Sequence, residues 1–175
     1  LPTTLLHALI ARDVGRPLVC TSGNREGDAI ETDPDTVLDR LTGVADLWIH
    51  HDRPILHAID DSVVRLIAHK PSTLRLARGL APLPLRLPAG GPPILATGGQ
   101  MKSSLAWHNS HQACLGPHVG DLDSIHVAER YLSHVADVES LYRFTPTHRI
   151  FDAHPDYATR TFFSEKPTNL YVQHH

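Results

Sequence analysis

Cysteine is scarce in this sequence, as are aromatic residues, and a basic stripe and any long apolar run are missing. Each scarcity removes a class of protein. Two cysteines, Cys20 and Cys114, cannot build a multi-disulfide framework or a four-thiolate zinc site, and they point to a reducing cytoplasm. Basic residues number 16 against 19 acidic ones, for a net charge of −3, and aromatics make up only 6%. Such a chain offers no polyanion-binding face, which argues against bulk nucleic-acid binding. No apolar run approaches the roughly 20 residues of a bilayer span. The longest candidates, Leu5 to Ile10 and Val63 to Ile67, are broken by polar residues, which argues against a membrane protein. The chain opens at Leu1 with no charged-then-apolar leader, and so reads as an excised piece rather than an exported precursor.

What is present is a globular composition, 41% apolar and 20% charged over 175 residues, enough for one large domain or two small ones. Histidine is the anomaly. There are 14, scattered from His7 to His175, and most read as surface or half-buried residues because a metal site draws on only two or three convergent ones.

Local patterns divide the chain. Leu5, Leu6, Leu9 and Ile10 follow the hydroxyl caps Thr3 and Thr4 at helical spacing, and Gly15 with Pro17 supplies the stop. Pro17 to Thr21 reads as a buried strand delivering the polar loop Ser22 to Asp28. Asp33 and Pro34 announce a second helix carrying Val37, Leu38 and Leu41, closed by Gly43. Leu47 to His50 reads as a strand, and Ser62 to Ala68 with Thr73 to Ala77 as a strand pair turning at His69 to Ser72. Gly79 to Pro93, rich in proline and glycine and without helical or strand period, reads as a linker. It separates a first unit, residues 1–78, from a second, 94–175, and should be the site of proteolytic cutting. In the second unit, Ile94 to Thr97, Ser103 to Trp107 and Ala113 to Leu115 suggest a three-stranded meander. A helix capped by Asp123 or Ser124 follows, with Ile125, Ala128, Leu132, Val135, Val138 and Leu141 on its apolar stripe, and then strands at Arg149 to Ala153 and Leu170 to Gln173.

Four stretches could carry chemistry. In Thr21 to Ile30, Ser22 and Asn24 flank Gly23, whose missing Cβ lets a backbone approach phosphate or ribose oxygens; such turns are also common as plain connections. Asp60 and Asp61 precede an apolar strand and, as neighbours, point to opposite faces, so they cannot form one paired-carboxylate site. One of them caps or orients, with Arg65 as its partner. Thr97 to Ser104 (TGGQMKSS) sets Lys102 in a glycine-containing hairpin that can wrap phosphates, without the spacing of a Walker loop. Finally His174 and His175 either open a metal site or are a terminal remnant.

In order, PLVCTSGNREGDAI, DLWIHHDRPI, IDDSVVR, LRLARGLAPLPL, ILATGGQMKSSLA, PHVGDLDS, DAHPDYATR and YVQHH resemble the hydrogenase maturation carbamoyltransferases called HypF. The resemblance implies an α/β (α+β) chain in which the C-terminal part of a YrdC-like twisted-sheet domain is linked to the N-terminal part of an actin-like ATPase domain of the TsaD type. Carbamoyltransferases of the antibiotic-modifying type carry these modules in the reverse order. It implies an enzyme that uses ATP, with Mg, and carbamoyl phosphate to make carbamoyl-adenylate, then carbamoylates the C-terminal cysteine of a HypE-type partner. By the same resemblance Ser22, Asn24, Asp61, Ser62 and Arg65 fall at the nucleotide site of the first unit, and Lys102 and Ser103 in the phosphate-side hairpin of the second. His118 and Asp121 fall along the substrate channel. His174 would be the first ligand of a divalent metal, zinc or iron, its H-x-x-x-H partner lying past His175. Gly23, Gln100, Ser103 and Pro117 depart from the family's usual residues. Alternatives are a non-catalytic scaffold relative and a threonylcarbamoyl-type tRNA-modifying enzyme. The missing parts of both domains imply no turnover by this chain alone.

Overall fold

A computed structural model describes residues 2–163 and the backbone of a strand at 169–172. The first helix, α1, runs Leu5–Val14; Thr4 caps it by accepting the His7 N–H, and Gly15, in the left-handed region at φ 64°, ends it. The second, α2, runs Pro34–Arg40 with Asp33 accepting the Asp35 N–H and Pro34 in the first turn, where its missing N–H costs nothing. Strands β1 (Val63–Ile67) and β2 (Lys70–Arg75) form an antiparallel hairpin. Their turn lies at Ala68 and His69, both at positive φ, and not over the expected His69 to Ser72. Two residues with φ above zero match the twist of the flanking strands, and Pro71 is absorbed into β2.

The second unit is a four-stranded sheet in the order β4-β3-β5-β6, formed by β3 (Leu83–Ala96), β4 (Ser103–Gly120), β5 (His148–Asp152) and β6 (Asn169–Val172). Strands β3 and β4 are antiparallel, while β3, β5 and β6 run parallel. The parallel β3 to β5 connection carries the long helix α3 (Ile125–Leu141), and a short helix α4 (Ala158–Phe162) follows β5. The expected linker is corrected here: Leu83 to Pro93 are strand. Only the Ile94–Ala96 end of β3 is flanked on both sides, by β4 and β5; the proline-bearing end pairs with β4 alone, and the register shifts between Arg86 and Gly91 and again before Ile94. Prolines are tolerated where one side of a strand needs no donor and where bulges interrupt the ladder. For the same reason the expected meander is two long strands. The hairpin β1-β2 and the four-stranded sheet remain separate sheets.

Leu95, Leu105, Trp107, Val119, Tyr131, Val135, Val138 and Phe151 form the core, between the sheet and α3. The buried stripe of α3 is Val127, Tyr131, Val135 and Val138, whereas Ile125 and Leu141 are 70% and 77% exposed, so the expected stripe was rotated from the true one. Tyr131 decides the phase because its ring is the largest fully buried side chain and its hydroxyl reaches the Thr97 carbonyl at 2.8 Å. The expected strands at 17–21 and 47–50 are irregular. A strand requires a ladder partner, and among the described residues neither stretch has one; Val19 is 96% exposed.

Candidate functional site: a glycine turn and the junction of two units

The β3–β4 connection, Thr97 to Lys102, is shaped by its neighbours. Thr97 is fully buried, donating N–H and Oγ1 to the Ile150 carbonyl at 3.0 and 3.1 Å. Gly98 follows at φ 72°, and a Cβ there would meet the Ser104 carbonyl at 2.5 Å, so only glycine fits. Gln100 ties the turn to two other segments: its Oε1 accepts the Ala158 N–H at 2.9 Å and its Nε2 donates to Asp123 Oδ1 at 2.7 Å. Its carbonyl also accepts the Leu122 N–H at 2.9 Å. Lys102 is held at φ 50° while its N–H donates to Asp121 Oδ1 at 2.5 Å. Ser103 is buried, and its hydroxyl has no partner among the described residues. A glycine cradle, an orphaned hydroxyl and an exposed lysine in one rigid turn suit phosphate oxygens. Gln100, a departure from the family's usual residue, is thus a structural tie in this chain.

At the junction of the units, Asp60 Oδ2 lies 3.6 Å from Arg130 Nη2 and 3.8 Å from His118 Nε2. His118 also donates its backbone N–H to the Leu76 carbonyl at 2.7 Å. Burial pushes the His118 pKa down, Asp60 and Asp121 push it up, and Arg75 and Arg130 push it down, with burial dominant. The imidazole is therefore neutral near pH 7. Further ties are Arg40 Nη2 to His126 Nδ1 at 3.1 Å, Ser124 Oγ to Asp28 Oδ1 at 2.8 Å and His57 Nδ1 to Asp137 Oδ2 at 3.2 Å. Between them lies a cavity of about 560 Å³ whose wall takes Ile30, Arg40 and His57 from the first unit and Trp107, Arg130 and His134 from the second. His134 is half-buried, its Nε2 has no hydrogen-bond partner among the described residues, and burial lowers its pKa. Its neutral form is thereby favoured.

The sequence-derived residues of the first unit are arranged differently from expectation. Asp61 pairs with Arg78 at 2.6 Å, not with Arg65, and Asp60 turns to Arg130 and His118. Ser62 Oγ donates to the Arg78 carbonyl and accepts the Ala77 N–H, stapling the strand end. Arg65 stands on exposed β1 opposite Ser72. Asn24 Nδ2 donates to the Arg25 and Asp28 carbonyls at 2.9 and 3.1 Å, closing the 24–28 turn, while its Oδ1 is buried without a partner among the described residues. Ser22 is exposed. Among the described residues no hydrogen bond or ion pair joins Ser22 or Asn24 to Asp61, Ser62 or Arg65. In the second unit, the Lys102 N–H meets Asp121 Oδ1, Ser103 follows Lys102 in the chain, and His118 shares a cavity wall with Lys102. Arg130 was missed; the signal was a lone arginine between Val127 and Tyr131, at the edge of the stripe that is buried. No three His, Cys, Asp or Glu side chains converge to hold a metal among the described residues, and His174 lies outside them.

An antiparallel hairpin joined to a parallel, helix-crossed sheet, preceded by a separate small α/β unit, defines a two-module chain, and comparison with known proteins identifies both modules. Residues 1–77 match the Sua5/YciO/YrdC family model described as telomere recombination, and 89–175 match the HypF Kae1-like domain. The carbamoyltransferase HypF of Synechocystis sp. is 39% identical over 98% of this chain and 23% of its own length; that of Rhodobacter capsulatus is 39% identical over 100% and 24%. A crystal structure of full-length HypF in the phosphate- and nucleotide-bound form superposes with a TM-score of 0.91 at 32% identity, covering 100% of this chain and 28% of that one. HypF from T. kodakarensis gives 0.80 at 28% identity, over 89% and 21%. The chain belongs to the HypF family, and it spans about a quarter of the length of the curated relatives it matches. Among the described residues no helix is long and apolar enough to cross a membrane.

Proposed function

We propose that this chain supplies the meeting point of the two catalytic modules of a carbamoyltransferase, in which ATP and carbamoyl phosphate yield carbamoyl-adenylate and the carbamoyl group passes to the C-terminal cysteine of a HypE-type partner. The observation that carries the reading is the shared cavity of about 560 Å³, with walls from both modules. A reactive acyl-adenylate made at one module and consumed at the other is best kept from water between them. In the last step the partner's thiolate attacks the carbamoyl carbon and AMP leaves, giving a thiocarbamate.

The roles follow from the residues present. The turn at Gly98 to Ser103 would hold nucleotide phosphates, the buried Ser103 hydroxyl donating and Lys102 supplying charge. Bound Mg would offset the charge of those phosphates. Asn24 offers its Oδ1, unpartnered among the described residues, to a donor in the first module, beside Ser22. His118 and Asp121 flank the route between modules, and His118, kept neutral by burial, can donate a hydrogen bond without trapping an anion. His174 is proposed as a metal ligand of the second module. Cys20 is free and exposed, as suits a cytoplasmic setting.

The test uses the protein at its relatives' full length. Ser22→Ala combined with Asn24→Ala should abolish carbamoyl-phosphate-dependent exchange of pyrophosphate into ATP while circular dichroism stays unchanged. Undiminished exchange would reduce the 21–28 loop to a turn.

A further inference from the structure

A second cavity, of about 440 Å³, opens on the other side of His118, between β2 and the sheet. Arg75 and Thr73 line it from the first unit, and Lys102, Ser104 and His118 from the second. Two of the nearby carboxylates are paired with cations, Asp61 with Arg78 and Asp60 with Arg130, while Asp121 accepts the Lys102 N–H and keeps its charge. Arg75 and Lys102 line the same space, and among the described residues neither has an ion-pair partner. Arg75 is fixed by its Nε, which donates to the Asp61 carbonyl at 2.8 Å, and among the described residues its terminal guanidinium nitrogens make no hydrogen bond. A guanidinium fork anchored at its stem, opposite an ammonium point charge and two hydroxyls, is an arrangement for a tetrahedral oxyanion.

We infer that this cavity binds a phosphate-type oxyanion between Arg75 and Lys102, so that the first unit completes the phosphate site of the second. The inference rests on the reading of the Gly98 to Ser103 turn as a phosphate turn. It makes the phosphate site dependent on the docking of the two units, because Arg75 and Lys102 belong to different sheets.

Calorimetric titration of the full chain with inorganic phosphate and with pyrophosphate tests it. Arg75→Ala and Lys102→Ala should each weaken binding about tenfold, the loss expected for one charge-assisted contact, and Arg75→Lys should recover part of it. Arg12→Ala, on exposed α1, should change nothing. Should Arg75→Ala unfold the chain, labelling the unaltered protein with phenylglyoxal replaces it: phosphate should shield Arg75 and leave Arg12 reactive. If Lys102→Ala weakens binding while Arg75→Ala does not, or if phosphate fails to shield Arg75, the composite site is wrong and the phosphate turn stands. If Lys102→Ala is without effect, the turn reading falls too.

Discussion

The Asp60 carboxylate lies 3.6 Å from the Arg130 guanidinium, joining the chain just before β1 to the middle of α3. Their side chains are 24% and 13% exposed, so most of the water that would solvate either charge is gone. Burial lowers the Arg130 pKa and Asp60 counters it, leaving the arginine charged and in need of its partner.

Removing the carboxylate should therefore cost more than a surface ion pair would. Asp60→Ala is expected to destabilise the chain by about 2 kcal/mol, below the figure for a fully buried pair because a quarter of Asp60 is solvated. Asp60→Ala with Arg130→Met should cost less than Asp60→Ala alone, since no charge is then stranded. Thermal denaturation reads both, as a fall in Tm of roughly 4–8 °C for the single variant. A double variant no better than the single would show that the pair does not hold the junction.

Gly98 and Gly99 are adjacent and should behave oppositely. At Gly98 a Cβ would sit 2.5 Å from the Ser104 carbonyl on a backbone at φ 72°, whereas at Gly99 the nearest atom is Tyr157 Cε2 at 4.0 Å and φ is not positive. Gly98→Ala is expected to cost about 1–3 kcal/mol by distorting the turn. Gly99→Ala should be within about 0.5 kcal/mol of the parent. Urea denaturation of the two variants side by side decides it, and equal costs would contradict the turn geometry.

The parts of this arrangement readable in the sequence were those encoded locally. Thr4, Gly15, Asp33 and Pro34 fix the ends of α1 and α2 through hydrogen bonds spanning a few residues, so their positions were legible. The same holds for the glycine turn after β3. What failed depended on partners distant in the chain. Leu83 to Pro93 became strand only because β4 returns to pair with it, and no local period announces a bulged, one-sided strand. The buried face of α3 was set by Tyr131 reaching Thr97. Asp61 and Asp60 found Arg78 and Arg130 in place of Arg65, since alternation along a strand says which faces the two carboxylates take, not what stands opposite.

His134 sits under the junction cavity, its Nε2 without a hydrogen-bond partner among the described residues and 3.4 Å from where a Gly116 Cβ would be. Burial lowers its pKa from 6.5; Asp137 raises it, and His57 and Arg130 lower it further. The unfolded chain therefore binds a proton more readily than the folded one. Above about pH 6.5 both states are neutral at this site and it adds no pH dependence. As pH falls below 6.5 the unfolded state is protonated first, so stability should drop, by at most about 1.4 kcal/mol per pH unit from this group, until the folded pKa is passed. His118, lowered in the same direction, should contribute in the same window. His134→Gln removes the titration while keeping a polar group in the cavity wall, and should flatten the fall in Tm between pH 7 and pH 5. The comparison must be made against His57→Gln, because His57 Nδ1 lies 3.2 Å from the same Asp137. A Tm profile for His134→Gln that parallels the parent through this range would mean that the acid sensitivity of the junction resides elsewhere, with His118 beside Asp60 the next group to replace.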